Sequence, residues 1–171
     1  SLSGEGKGYG FGKMSEKQAQ ALLERSFASG INIYDAAPIY GHNLCEKRLG
    51  KYLKNVREKV LLVSKSGVSW HDNGRVNMTN DISTTKSMLE SSLRNFNSDY
   101  IDIYMIHWPD VRVDIRYPLE ILQKAKEAGK IKYIGLCNTH NEDLERAESV
   151  CNIQFLQSEV NLFNNGFLNL D

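Results

Sequence analysis

An α/β fold, a partial (βα)8 TIM barrel of about five βα units plus a sixth strand, is what this sequence predicts, and three observations predict it. Strand-like apolar runs alternate with helical patterns along nearly the whole chain. Those runs are almost continuously apolar instead of alternating apolar and polar, as strands buried on both faces of a parallel sheet are. Asp35, Lys65, His107 and Asn138 stand at the carboxyl ends of consecutive strands. A ring of strands converges such residues on one pocket, whereas an open doubly wound sheet spreads them along a line.

The elements follow in order. Ser15, with Gln18 three residues on, forms a capping-box pattern, and Leu22, Leu23 and Phe27 recur at helical spacing until Gly30 stops the helix. A strand is expected over 31–36, a helix over about 43–54 and a strand over 59–65. A helix over about 81–97 leads to a strand over 101–107, and a helix over about 117–128 ends at Gly129. A strand over 131–137, a helix over about 141–150 and a strand over 154–160 complete the series. The Gly-rich stretch from Gly4 to Gly12 reads as strand and turn, because it does not complete GxGxxG and Ser15 opens the next helix. No linker or low-complexity segment divides the chain, so residues 1–171 are expected to form a single, incomplete barrel domain.

Composition narrows the function. With 171 residues and 41% hydrophobic content, the chain is long enough for one domain with a core. Its 21 Lys and Arg balance 21 Asp and Glu, so no basic field for nucleic acid or anionic lipid is expected, and small molecules are the expected partners. Cys45, Cys137 and Cys151 are odd in number and lack close pairing, which predicts reduced thiols in a cytoplasmic protein. No apolar leader and no run of about eighteen apolar residues is present, so neither export nor membrane spanning is expected. His42, His71 and His140 show no metal-ligand spacing.

The strand-end residues suit proton delivery to a carbonyl oxygen. A tyrosine has a pKa of about 10, so Tyr40 acting as a general acid near neutrality needs its phenol acidified by roughly two to three units, or about 3–4 kcal/mol. An ammonium about 4 Å away supplies about that much at an effective dielectric near 20, and Lys65 is the candidate. Asp35 would hold Lys65 charged and oriented, and His107 would hydrogen-bond a bound carbonyl oxygen. Taken singly, Asp35 reads equally well as a turn residue, Lys65 as a solvated strand end and His107 as a buried imidazole; their joint placement is what carries the reading.

Asp35 and Tyr40 in Asp-Ala-Ala-Pro-Ile-Tyr-Gly, Lys65 in Leu-Val-Ser-Lys, and His107 in His-Trp-Pro-Asp together resemble the catalytic Asp, Tyr, Lys and His of the aldo-keto reductases. These are (βα)8-barrel enzymes that reduce aldehydes and ketones with NADPH. The resemblance implies an NADP(H)-dependent oxidoreductase acting on a small-molecule carbonyl substrate. Asp35, Asn138 and Gln157 would then contact the cofactor, and Tyr40, His107 and Trp108 the substrate. Cys137 stands where the family has a Ser that touches the nicotinamide carboxamide, which implies that one cofactor hydrogen bond passes to a weaker donor.

A complete barrel needs eight units and about 250 residues, so the carboxyl-terminal third, with the phosphate site after strands seven and eight, is expected to be missing. An unclosed barrel leaves two strand edges and apolar interior uncovered. A second copy in a homo-oligomer, a partner supplying the other units, or Phe163 to Asp171 packed across the opening would each cover them. The rival functional reading is a catalytically inactive binding or regulatory protein on a shortened barrel scaffold.

Overall fold

The structure, a computed structural model, describes residues 2–4, 9, 10 and 12–163. Helix α1 (Glu16–Ala28) leads into strand β1 (Ile33–Asp35), helix α2 (Leu44–Tyr52), a 3-10 segment over Lys54–Lys59 and strand β2 (Leu61–Ser66). Strands β3 (Val68–Trp70) and β4 (Val76–Met78) form a small antiparallel hairpin before helix α3 (Ile82–Phe96). Strand β5 (Ile101–Ile106), helix α4 (Arg116–Glu127), strand β6 (Ile131–Cys137), helix α5 (Asn141–Glu148) and strand β7 (Phe155–Gln157) follow. The main sheet has the order β1-β2-β5-β6-β7, every pairing is parallel, and it curls into half of a barrel.

Local chemistry starts the helices where the sequence places them. Ser15 Oγ accepts from Gln18 N at 3.2 Å while Gln18 Oε1 accepts from Ser15 N at 2.9 Å, a complete capping box. Asp81 caps α3 by accepting from Thr84 N at 2.9 Å. Gly50 lets α2 lie directly on the end of α3, since a Cβ there would fall 2.4 Å from the Phe96 carbonyl oxygen.

Burial divides the sheet into two faces. Leu62, Tyr104, Ile106, Ile134 and Leu136 pack against the helices in the main core. Val63, Ile103, Met105 and Cys137 form a separate cluster on the concave inner face. Every residue of β5, and all of β2 but its first, is buried, as expected of central parallel strands. Towards the edges this changes: Ile33 on β1, Tyr133 on β6 next to the other edge, and Phe155 on β7 keep 55%, 40% and 38% of their surface. Through the registers Ile103↔Tyr133 and Gly135↔Phe155 these side chains extend the inner face, so the half-barrel carries exposed apolar interior.

Several expectations are trimmed. The strands expected over 31–36 and 154–160 shrink to Ile33–Asp35 and Phe155–Gln157, because each is an edge with a partner on one side only. The helix expected over 43–54 ends at Tyr52 and tightens into the 3-10 segment. The β3-β4 hairpin was not anticipated, although Asn73-Gly74, with Gly74 at φ +82°, is a turn signal. The strand and turn expected over Gly4 to Gly12 and the packing expected of Phe163 to Asp171 lie largely outside the described residues. No described helix is long and apolar enough to cross a membrane.

At the amino-terminal end of the strands, Asp102 joins three elements. Its fully buried carboxylate accepts from Leu62 N at 3.0 Å and pairs with Arg57 at 2.7 Å and Lys132 at 2.9 Å. Tyr100 packs its ring against both cations, 4.0 Å from Arg57 and 4.1 Å from Lys132. Replacing Asp102 with Ala strands a largely buried guanidinium and an amide, and should lower stability by about 3 kcal/mol in urea denaturation. A loss below about 1 kcal/mol would show that solvent satisfies Arg57 without it.

Candidate active site

Pro38 to Asn43 fold into a tight loop because the chain must turn from β1 into α2. Asn43 N donates to Pro38 O at 2.7 Å, Tyr40 N to Ala37 O at 3.0 Å, and Cys45 N to Tyr40 O at 3.2 Å. Gly41, His42 and Asn43 all take positive φ, of 65°, 50° and 72°. Gly41 also lies against the amino-terminal segment, where a Cβ would come 2.1 Å from Ser3 O. Arg48 holds that segment in place by donating to Leu2 O at 2.6 Å and Met14 O at 2.8 Å. This packing fixes the loop that carries Tyr40.

Asp35 and Lys65 meet directly. Lys65 is fully buried, and its Nζ donates to Asp35 Oδ1 at 2.5 Å and to Ala36 O at 3.0 Å. The same Nζ lies 5.4 Å from the centroid of the Tyr40 ring. Tyr40 in turn sets its ring edge-on to His107, at 5.8 Å and 87°. His107 is buried and stacks on Trp108 at 4.2 Å and 9°. Asp35, Tyr40, Lys65, His107 and Trp108 therefore form one continuous cluster at the carboxyl ends of β1, β2 and β5.

The electrostatics depart from the sequence expectation at Tyr40. Its phenol is pushed up to about 12, first by burial and then by the charge of Asp35. The expected acidification placed Asp35 beside Lys65 but did not offset the ammonium by the carboxylate charge, whereas the bound pair presents the phenol with little net positive charge. His107 is driven down to about 3 by burial and then by the nearby Lys65 charge, so its imidazole is neutral at physiological pH.

Asn138 and Gln157 come together one strand further on. Asn138 follows β6 with φ +54°, and its backbone N donates to Gln157 O at 2.9 Å. Its Nδ2 donates to His107 O at 3.2 Å and to Cys137 Sγ at 3.1 Å. Gln157 Oε1 accepts from Cys137 Sγ at 3.3 Å. Among the described residues these contacts leave Asn138 Oδ1 as an acceptor and Gln157 Nε2 as a donor, which is the complement of a primary carboxamide. The donor set thus fits the nicotinamide end of a dinucleotide.

Sequence reasoning missed two contributors. Trp70, on the hairpin, stacks on His42 at 4.6 Å and 8° and packs with Tyr40 and Trp108 around Ala37, Ile39 and Val68. Tyr9 lies 6.4 Å from the Trp108 ring. Neither sits at the end of a main-sheet strand, and the hairpin that carries Trp70 was not anticipated, so the strand-end reading could not have found them. Among the described residues no His, Cys, Asp and Glu group is arranged to hold a metal.

Comparison with known proteins agrees with this fold. The family model "Aldo/keto reductase family" matches residues 3–168. Aldo-keto reductase YhdN of Bacillus subtilis is 32% identical over 155 residues, covering 90% of this chain and 46% of that protein. Probable aldo-keto reductase 1 of Glycine max is 30% identical over 151 residues, covering 88% of this chain and 44% of that one. This chain therefore spans about half the length of these relatives. Among solved structures, glycerol dehydrogenase AKR11B4 from Gluconobacter oxydans superposes with a TM-score of 0.82 at 28% identity, over 88% of this chain and 47% of that one. An aldo-keto reductase from Klebsiella pneumoniae, in complex with NADPH, gives a TM-score of 0.67 at 25% identity, over 80% and 44% of the two chains. With a family model spanning nearly all of its length and a half-barrel that gathers Asp35, Tyr40, Lys65 and His107, this chain belongs to the aldo/keto reductase family.

Proposed function

We propose that this chain carries the catalytic half of an NADP(H)-dependent reductase that converts an aldehyde or ketone to an alcohol. The buried Lys65 ammonium, paired with Asp35 and lying over the Tyr40 ring, supports this reading most directly. NADPH, when bound, supplies hydride to the carbonyl carbon, and Asn138 and Gln157 would hold its carboxamide with Asp35 at the edge of the same pocket. The small-molecule carbonyl would lie between Tyr40 and His107, against Trp108.

Tyr40 donates the proton to the carbonyl oxygen. A phenol raised to about 12 is fully protonated at neutral pH, and an alkoxide is a stronger base than the phenolate left behind, so the transfer runs downhill. Lys65 tempers the phenolate charge as it forms, and Asp35 keeps the ammonium in place. His107, neutral, donates a ring N–H to the carbonyl oxygen and so favours charge developing there. The three free cysteines fit a reducing compartment such as the cytoplasm.

Titrating NADPH while following tryptophan fluorescence, then assaying a reactive aldehyde, tests this. The absence of binding at millimolar cofactor would favour the inactive-scaffold alternative. Where turnover occurs, Tyr40→Phe should reduce it by about 100-fold or more and leave NADPH affinity within about twofold. Unchanged turnover would remove Tyr40 from its role.

The depressed His107 adds a pH signature. Its folded value lies below the unfolded one of 6.5, so the folded state binds fewer protons and stability falls as pH drops from 6.5 towards 3. Urea midpoints should show a slope of up to about 1.4 kcal/mol per pH unit in that window, and His107→Asn should flatten it. An identical slope in the variant would mean that the imidazole is not buried neutral.

We also propose that a second copy covers the unpaired edges of β1 and β7 and the exposed Ile33, Tyr133 and Phe155. Sedimentation equilibrium of the purified chain should give a dimer or larger. A monomer that binds no apolar dye would show that the opening is sealed within one chain.

A further inference from the structure

Cys137 is the residue in this cluster whose position the reductase chemistry does not use. It is 5% exposed, packs with Val63, Ile103 and Met105 on the inner face, and ends β6 opposite Gln157 in the register. Burial raises its thiol above the usual range, so at neutral pH the sulfur carries its hydrogen and can both donate and accept. The geometry uses both capacities: the thiol donates to Gln157 Oε1 at 3.3 Å and accepts from Asn138 Nδ2 at 3.1 Å.

This arrangement matters because Gln157 is poorly held otherwise. It lies on a three-residue edge strand whose residues are all exposed, and among the described residues Cys137 is the side chain that engages its amide. Asn138 is tethered at its other Nδ2 hydrogen to the His107 carbonyl. A chain of contacts thus runs from the end of β5, through Asn138 and Cys137, to the edge strand β7. The thiol hydrogen is committed to Gln157, which conflicts with its serving as a weak donor to a cofactor.

We propose that Cys137 is a positioning residue, a clip between Asn138 and Gln157 that leaves Asn138 Oδ1 and Gln157 Nε2 presented together to a primary carboxamide. The consequence for specificity rests on the nicotinamide reading of this site. A serine hydroxyl can replace the thiol in both directions, whereas a methyl group can do neither. The clip thereby couples the least-anchored strand of the sheet to the His107 end of the pocket.

Two measurements test it separately. In the cofactor-free, 15N-labelled chain, the side-chain amide resonances of Asn138 and Gln157 should be dispersed in the wild type and in Cys137→Ser, and should move to solvent-exposed values in Cys137→Ala. Unchanged resonances in the alanine variant, with its thermal midpoint preserved, would overturn the clip whether or not any cofactor binds. If the alanine variant does not fold, Cys137→Val is read in the same way, and dispersed amides in a folded valine variant would equally overturn the proposal. NADPH titration then reads the consequence: Cys137→Ser should stay within about twofold of the wild type, and Cys137→Ala should bind about five- to tenfold more weakly, the size of one or two lost hydrogen bonds. Equal affinity in all three would refute the effect on specificity, and an absence of NADPH binding by the wild type would remove the nicotinamide reading while the amide spectrum still decides the clip.

Discussion

The burial of the Lys65 ammonium is the constraint on which the site depends. An amine taken fully out of water is tolerated only with an opposite charge and with its remaining hydrogens bonded. Asp35 Oδ1 supplies the charge and the Ala36 carbonyl supplies a second acceptor. Both come from β1 and the residue after it, so the pair binds the first strand to the second at the level of the pocket. The loop carrying Tyr40 starts two residues later and is fixed relative to that pair by its own turn and by the amino-terminal segment at Gly41.

Pairing also changes what the ammonium does. A free cation beside Tyr40 would acidify it, whereas an ammonium neutralised by Asp35 leaves burial to dominate, and the phenol rises. The same desolvation keeps His107 neutral. A pocket whose hydroxyl and imidazole are both uncharged at neutral pH can accept an uncharged carbonyl without displacing a strongly hydrated ion. In the proposed reaction, charge would develop at the carbonyl oxygen, where fixed donors are worth most.

The half-barrel sets a second condition. Central strands β2 and β5 are buried on both faces, while β1 and β7 expose apolar side chains. Gln157 belongs to one of those exposed edges, so the part of the site facing the proposed cofactor has the least support from the sheet. Lys65 and His107, on β2 and directly after β5, have the most. This difference explains how a chain spanning about half the length of its relatives keeps a buried Lys65 and His107.

The sequence by itself determined the alternation of elements, the parallel sheet and the strand ends that carry Asp35, Lys65, His107 and Asn138, because apolar runs and strand ends are written locally. It also carried the capping box at Ser15 and, unread, the hairpin turn at Asn73-Gly74. Only the tertiary structure decided the protonation of Tyr40 and His107, the stacking of Trp70 on His42 and the engagement of Cys137 with two amides. Each of these depends on distance and desolvation between residues far apart in the chain, which spacing along a sequence does not encode. The Asp102 network is of the same kind: Arg57, 45 positions before it, and Lys132, 30 positions after it, become its partners only when the strands align.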